Sequence, residues 1–198
     1  AMAQAAQALA DVPLIKVKVD GTDPCAQICA VREAAPHPRL IVDPNESWSM
    51  TQLEALQGRL VELRVDLLEQ PLPAGAQEGL RGFRSLVPIA ADESIHGAAD
   101  LDTLPDGYGV INIKLDKAGG LTAALDLMRE ARARGLGIMT GCMVSSSLSI
   151  APALAIAARS DFVDLDGPIW LAEDRRGGVA CQRGMMWLED PAFWGSAG

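Results

Sequence analysis

The stretch "IKVKVD", Ile15–Asp20, places two lysines one residue apart inside an apolar, β-branched run. Alternate side chains of a β-strand share a face, so Lys16 and Lys18 should point to the same side of this strand. Lysines in such a pattern are common on exposed edge strands, where they discourage association between strands. The rest of the chain decides whether these two lysines lie on an exposed edge strand or belong to a functional site.

Length and charge exclude several classes of protein. The 198 residues, 49% of them hydrophobic, are enough to bury a sizeable core and predict one domain over 1–198. A net charge of -9 and a pI near 4.7 argue against nucleic-acid or membrane partners. The alanine-rich start, residues 1–12, lacks the basic and apolar parts of a signal peptide and predicts the tail of a helix.

The four cysteines form no C-x-x-C pair, and no histidine lies at zinc-ligand spacing from them. Reduced, mostly buried thiols and a cytoplasmic protein are the expectation from this pattern. The cysteines concerned are Cys25, Cys29, Cys142 and Cys181.

Seven short apolar runs recur along the chain, each followed by a loop and most by a helical stretch. The runs lack the alternation of a one-sided sheet, so both faces of the predicted sheet should be buried. They end every 22 to 26 residues, the length of one βα unit, at Lys18, Asp43, Glu69, Asp92, Lys114, Thr140 and Asp164.

Both a doubly wound open sheet and a TIM-type barrel fit this alternation. An open sheet usually carries a glycine-rich phosphate loop after its first strand, and none follows "IKVKVD". A barrel instead gathers functional side chains at the carboxyl ends of several strands, as the charged strand ends do here. Seven strands are counted where eight close a barrel, so the sequence predicts an α/β, TIM-type (β/α) barrel that lacks its first strand.

Asp43, Glu69 and Asp92 end three successive predicted strands. Three carboxylates at one barrel mouth repel each other unless a cation lies between them, and oxygen ligands favour a hard ion, Mg²⁺ first. Each residue taken alone also has a structural explanation, as a turn residue, a strand end or a helix cap.

Lys18 precedes this acidic trio by one unit and Lys114 follows it by one. On a closed ring the two amines would flank the metal, which is the arrangement needed for proton transfer by two bases. The like charge of Lys16 beside Lys18 would disfavour the protonated form of Lys18.

Six segments together resemble the barrel domain of the enolase superfamily, in its muconate-lactonizing subgroup: "IKVKVD", "IVDPN", "LEQPLP", "AADES", "NIKLDKAGG" and "DLDGP". The resemblance covers about residues 14–168. It implies an enolase C-terminal-domain-like barrel with Mg²⁺ on Asp43, Glu69 and Asp92. It further implies that Lys18 and Lys114 exchange the α-proton of a substrate through an enediolate.

Asp164 and Asp166, a D-x-D pair on the last predicted strand, resemble the dipeptide epimerases. The resemblance implies that this pair binds the α-ammonium of a dipeptide of the L-Ala-D/L-Glu type. Cys142 and Val144, in "TGCMVSSS", occupy the place where family members contact the dipeptide backbone; a buried turn is the alternative.

The chain departs from the family in two places. Family members carry an N-terminal capping domain and a first strand that this sequence does not show, so a missing capping domain or a homo-oligomer is an expected partner. The segment 169–198 diverges, and Trp170 and Trp187 are expected to pack beneath it. Alternatives stay open: o-succinylbenzoate synthase, N-acyl amino acid racemase, cycloisomerase, or a noncatalytic truncated barrel.

Overall fold

The computed structural model describes residues 1–190 and 193, and there it contains one seven-stranded parallel sheet and one small hairpin. Each strand of the large sheet pairs with the next strand along the chain. The strands are β1 (Leu14–Lys18), β2 (Arg39–Asp43), β3 (Leu67–Glu69), β4 (Ile89–Ala91), β5 (Val110–Ile113), β6 (Gly137–Gly141) and β7 (Phe162–Asp164). Each ends within one residue of its predicted end, and the predicted barrel fold is confirmed.

Within residues 1–190, six α-helices connect or flank these strands. They are α1 (Met2–Ala8), α2 (Pro24–Ala34), α3 (Met50–Glu62), α4 (Leu115–Ala118), α5 (Leu121–Ala133) and α6 (Ser147–Ala157). Ser49 starts α3 with a reciprocal capping box, in which its hydroxyl accepts from the Gln52 N–H. In the described part of the chain, no helix is both long and apolar enough to cross a membrane.

Two connections differ from the expected strand–helix alternation. The segments after β3 and β4 contain short 3₁₀ helices, Ala74–Leu80 and Ala98–Asp102, in place of α-helices. Proline explains the first case, because Pro71 and Pro73 remove backbone donors and restrict the residues before them.

The sheet separates two apolar regions. Its outer face packs against the helices in the main core. Its inner face carries a smaller buried layer made of Ile41, Leu67, Ala90, Val110, Met139 and Phe162. These six residues come from six successive strands, so the sheet is curled into a barrel whose interior is filled at this level.

The first and last strands approach each other without pairing in the described part of the chain. Side chains cross this seam. Lys16 Nζ lies 3.0 Å from Asp164 Oδ2, and Arg39 donates to the Asp161 carbonyl oxygen at 3.1 Å while stacking on the Phe162 ring. The barrel is therefore nearly closed, with one gap between β1 and β7.

The chain after β7 forms a 3₁₀ turn, Gly167–Trp170, and a hairpin of β8 (Val179–Gln182) and β9 (Met185–Leu188). The expected packing of Trp170 is wrong, since its side chain is 69% exposed, and Trp187 is also exposed. The cysteines are half-buried or exposed rather than mostly buried. Residues 191–192 and 194–198 of the divergent segment lie outside the described residues.

Candidate active site

Charged side chains from six of the seven parallel strands converge at the carboxyl end of the barrel. Odd positions of β1 point outward into the core and even positions point inward, so Lys16 and Lys18 share the inner face as the alternation predicts. Asp43, Glu69 and Asp164 end their strands, whereas Asp92 and Lys114 come one residue after theirs.

Lys16 lies at the centre of this charged group. Its ammonium contacts three carboxylates, those of Glu69 (2.9 Å), Asp164 (3.0 Å) and Asp43 (3.1 Å). Burial would lower the pKa of Lys16, but attraction to these carboxylates outweighs burial and raises the pKa above its ordinary value. Lys16 is therefore a fixed positive charge among the carboxylates.

Glu69 is wholly buried beneath Lys16. Burial raises the pKa of its carboxyl group to about 7, with Lys16 opposing and the charges of Asp43 and Asp92 adding to the increase. Asn112 Nδ2 donates to Glu69 Oε1 at 2.9 Å and fixes the orientation of the carboxylate. Burial is therefore the main reason that this carboxyl group holds its proton more tightly than a free glutamate does.

Asp92 is held by two lysines. Lys114 Nζ lies 2.7 Å from Asp92 Oδ2, and Lys117 contacts Asp92 Oδ1 and donates to its carbonyl oxygen at 2.6 Å. Burial alone would raise the pKa of Asp92, but the two ammonium groups lower it. The pKa of Lys114 is raised in turn, because Asp92 outweighs the opposing effect of burial.

Lys18 and Lys114 stand on either side of the acidic trio. Lys18 Nζ lies 3.0 Å from Asp43 Oδ2, and its side chain is 66% exposed, against 11% for Lys114. Glu69 lies between their two partners in strand order. The structure thus places two amines at opposite flanks of the trio, as the sequence predicts, while their roles stay predictions.

The acidic trio fits a hard cation in donor type and charge, since all donors are carboxylate oxygens, all three residues are buried, and the pKa of Glu69 is raised. In the arrangement described, lysine ammonium groups contact these oxygens, and no three acidic, histidine or cysteine side chains of the described residues stand close enough to hold a metal. The donor type and charge of these residues therefore fit the ion, which would replace lysine ammonium groups as the contact of the carboxylate oxygens.

The predicted substrate residues form a second group at the mouth. Asp164 contacts Lys16, whereas Asp166 is exposed and accepts a hydrogen bond from Trp170 Nε1 at 2.9 Å. Cys142 and Val144 line a cavity of about 150 Å³ beside β6. Burial raises the pKa of the Cys142 thiol to about 11, so the thiol is neutral, and Val144 is largely exposed.

Sequence reasoning missed three residues of this site: Asn112, Lys117 and Gln70. Strand alternation could have found Asn112, because it lies two residues before Lys114 on the same face. Lys117 lies in the quoted "NIKLDKAGG", three residues after Lys114 and within one helical turn of it. Gln70 directly follows Glu69 and carries no signal of its own.

Comparison with known proteins agrees with this geometry. A model of the "Enolase C-terminal domain-like" family matches residues 1–192. Among curated relatives, an N-acetyl-D-glutamate racemase of Pseudoalteromonas is 46% identical over 197 residues, which is 100% of this chain and 62% of that protein. The L-Ala-D/L-Glu epimerase of Escherichia coli is 47% identical over 175 residues, 87% of this chain and 54% of that protein.

Solved structures show the same relationship. An enolase family member from Agrobacterium tumefaciens, with homology to dipeptide epimerases and with bound sodium and L-Ala-L-Glu, superposes with a TM-score of 0.92 at 44% identity, covering 98% of this chain and 59% of that chain. A dipeptide epimerase from Methylococcus capsulatus, complexed with Mg and the dipeptide L-Arg-D-Lys, gives 0.87 at 35% identity, over 96% and 57%.

The chain spans roughly three-fifths of the length of these relatives, between 54% and 62% in the four comparisons. Both the family match and the superpositions extend over nearly all of the chain. The chain belongs to the enolase C-terminal domain-like family.

Proposed function

We propose that this chain is the barrel of a Mg²⁺-dependent isomerase that inverts the α-carbon of an N-acylated amino acid, a dipeptide first. The observation that carries the proposal is the pair of amines, Lys18 and Lys114, set on opposite flanks of a buried acidic trio. Racemases and epimerases among the relatives support the same class of reaction.

Asp43, Glu69 and Asp92 would hold the ion. When bound, Mg²⁺ supplies positive charge that binds the substrate carboxylate and offsets the negative charge that develops as the α-proton leaves. Glu69 would bind as the carboxylate, its proton being displaced from a group whose pKa is raised to about 7.

The two lysines divide the proton transfer between them. A neutral amine on one face of the α-carbon removes the proton, and an ammonium on the other face returns one, so the stereocentre inverts. The raised pKa of Lys114 keeps it protonated in the chain as described, which fits a proton donor. Lys18, two-thirds exposed and paired with Asp43, would act on the other face.

The two curated relatives suggest the substrate. N-acetylglutamate and Ala-Glu both present an N-acylated glutamate, and they differ by the ammonium-bearing α-carbon of the alanine. Asp164 and Asp166 supply two carboxylates on the strand and loop where such an ammonium would sit, and Asp164 already contacts the Lys16 ammonium. A dipeptide is therefore the first candidate.

N-acetylglutamate is the second candidate. The racemase named for the D-enantiomer matches this chain over its full length, whereas the match to the epimerase covers 87%. Under this alternative Asp164 would remain paired with Lys16, and the two aspartates would contribute structure rather than substrate binding.

Deuterium incorporation tests the proposal. The chain should be joined to the part of a relative that lies outside the match, and L- and D-isomers at the reacting glutamate should be followed in D₂O with Mg²⁺. Lys18→Ala and Lys114→Ala should each lose inversion, yet each should retain exchange of the one isomer whose α-proton faces the surviving lysine. Exchange of both isomers by either variant would contradict the two-base mechanism.

The chain on its own is the control for the joined protein. We expect little turnover from it, because water that enters an uncovered barrel mouth would weaken the electrostatics of the site. Full activity of the bare chain would show that nothing outside these 198 residues is required.

A further inference from the structure

Gln70 links three loops at the carboxyl end of the barrel, and it is fully buried. Its Oε1 accepts hydrogen bonds from the backbone N–H groups of Asp92 at 2.8 Å and Ser94 at 3.2 Å. Its Nε2 lies within hydrogen-bond distance of three oxygens, those of the Ser94 hydroxyl (2.8 Å), the Leu72 carbonyl (2.9 Å) and the Tyr108 hydroxyl (3.0 Å). Both ends of the amide are therefore satisfied by groups from neighbouring loops.

The backbone of Gln70 makes further connections. Its N–H donates to the Ala90 carbonyl oxygen and its own carbonyl accepts from the Glu46 N–H, both at 2.9 Å. Its φ is +35°, in the left-handed region that residues other than glycine seldom adopt. A strained backbone conformation persists only where the surrounding structure holds it, and here the hydrogen bonds of the side-chain amide do so.

These contacts reach each member of the acidic trio. Gln70 follows Glu69 directly, fixes the backbone N–H of Asp92, and bonds to the loop that begins after Asp43. The direction of a short side chain such as that of aspartate is set by its own backbone. A shift of the Asp92 turn would therefore move its carboxylate relative to the other two.

We propose that Gln70 is a positioning residue, which fixes the loops after β2, β3 and β4 against one another and so sets where the three carboxylates stand at the carboxyl end of the barrel. The consequence for cation binding rests on the proposed function, whereas the fixation of the Asp92 turn does not. Gln70 touches neither substrate nor ion in this assignment; it acts through the residues that would.

The chain offers a matched control in Gln57 on α3. This glutamine is also buried, accepts from the Leu86 N–H at 2.7 Å and the Ser85 hydroxyl at 2.9 Å, and donates to the Leu53 carbonyl at 3.1 Å. Gln57→Met thus removes a comparable set of bonds away from the acidic trio. This variant shows how far a general loss of stability changes hydrogen exchange and Mg²⁺ affinity.

Hydrogen exchange of the metal-free chain is the first measurement. In Gln70→Met the peptide covering residues 90–95 should exchange faster than in wild type, by roughly fivefold for each hydrogen bond lost. In Gln57→Met that peptide should be unchanged, while residues 84–88 exchange faster. Equal acceleration of residues 90–95 in both variants would overturn the proposal, since it would trace the effect to general stability.

Calorimetry with Mg²⁺ is the second measurement. Residues that orient metal ligands typically contribute about 10- to 100-fold to affinity, and we expect a loss of that size in Gln70→Met and none in Gln57→Met. Wild-type affinity in Gln70→Met would overturn the role in cation binding. Absence of Mg²⁺ binding by wild type, with faster exchange of residues 90–95 in Gln70→Met, would refute the proposed function and support fixation of the turn.

A third variant covers the case in which Gln70→Met fails to fold. Gln70→Asn keeps the amide but shortens the side chain by one methylene, so its oxygen falls short of the Asp92 N–H. It should show the same two changes, and wild-type behaviour in both measurements would overturn the proposal.

Discussion

Replacing Glu69 by glutamine tests the electrostatics of the acidic trio in the metal-free chain. Glutamine keeps the size of the side chain and an oxygen that accepts the hydrogen bond from Asn112, and it removes the charge and the titration. Glu69 is wholly buried, so solvent does not screen its interactions and the pKa change reports on stability directly.

The magnitude follows from the raised pKa of Glu69. Moving the pKa from its ordinary value of 4.5 to about 7 corresponds to about 3 kcal/mol. The folded protein holds this proton more tightly than the unfolded chain, so the contribution is fully present below pH about 4.5 and is lost as the pH rises through about 7. Wild type should therefore lose about 3 kcal/mol of stability in this window that Glu69→Gln does not lose.

Urea denaturation in EDTA at several pH values between 5 and 8 measures this difference. The carboxyl group of Glu93 also has a raised pKa, mainly from burial, but it is common to both proteins and cancels in the comparison. Glu78→Gln is the control, because Arg81 lowers the pKa of the exposed Glu78, in the direction opposite to that of Glu69. Parallel stability curves for wild type and Glu69→Gln would refute the reasoning.

Mg²⁺ added at pH 8 should stabilise wild type far more than the Glu69→Gln variant.

Two further changes test individual contacts. Lys117→Met should lower the free energy of unfolding in EDTA by about 2 kcal/mol, since a charge-assisted bond to the buried Asp92 is lost while Lys114 remains, and an unchanged urea midpoint would contradict this. In the joined protein, replacing both Asp164 and Asp166 by asparagine should raise KM for Ala-Glu far more than for N-acetylglutamate; equal losses would assign the pair a structural role.

The fold followed from the sequence because one feature repeats. Each unit ends an apolar run with a charged or polar residue, and the strand ends predicted at Lys18, Asp43 and Glu69 coincide with those observed. The connections were harder to predict. The segments after β3 and β4 are interrupted by proline or glycine, so local backbone restriction overrides the expectation of an α-helix there.

The candidate site likewise contains residues that the sequence predicts and residues that it does not. Residues at strand ends could be predicted, because alternation and register place them without knowledge of the loops. Gln70 could not, since its role depends on bonds to Asp92, Ser94 and Tyr108, which lie 22, 24 and 38 residues further along the chain. The exposure of Trp170 was missed for a different reason, because its partner is local: the indole N–H donates to the Asp166 carboxylate four residues earlier, and the side chain stays 69% exposed.

The paired lysines of β1 differ in depth rather than in direction. Both point into the barrel, but a strand rises about 3.3 Å per residue, so Lys16 starts about 6.6 Å deeper than Lys18. Register pairs Lys18 with Asp43 at the rim and Lys16 with Ile41 below it, from where the Lys16 stem reaches up among the carboxylates. Depth accordingly separates their exposures, 14% for Lys16 and 66% for Lys18. The deeper lysine is a counter-charge that also ties β1 to β7, whereas the shallower one contacts Asp43 and reaches the open mouth of the barrel.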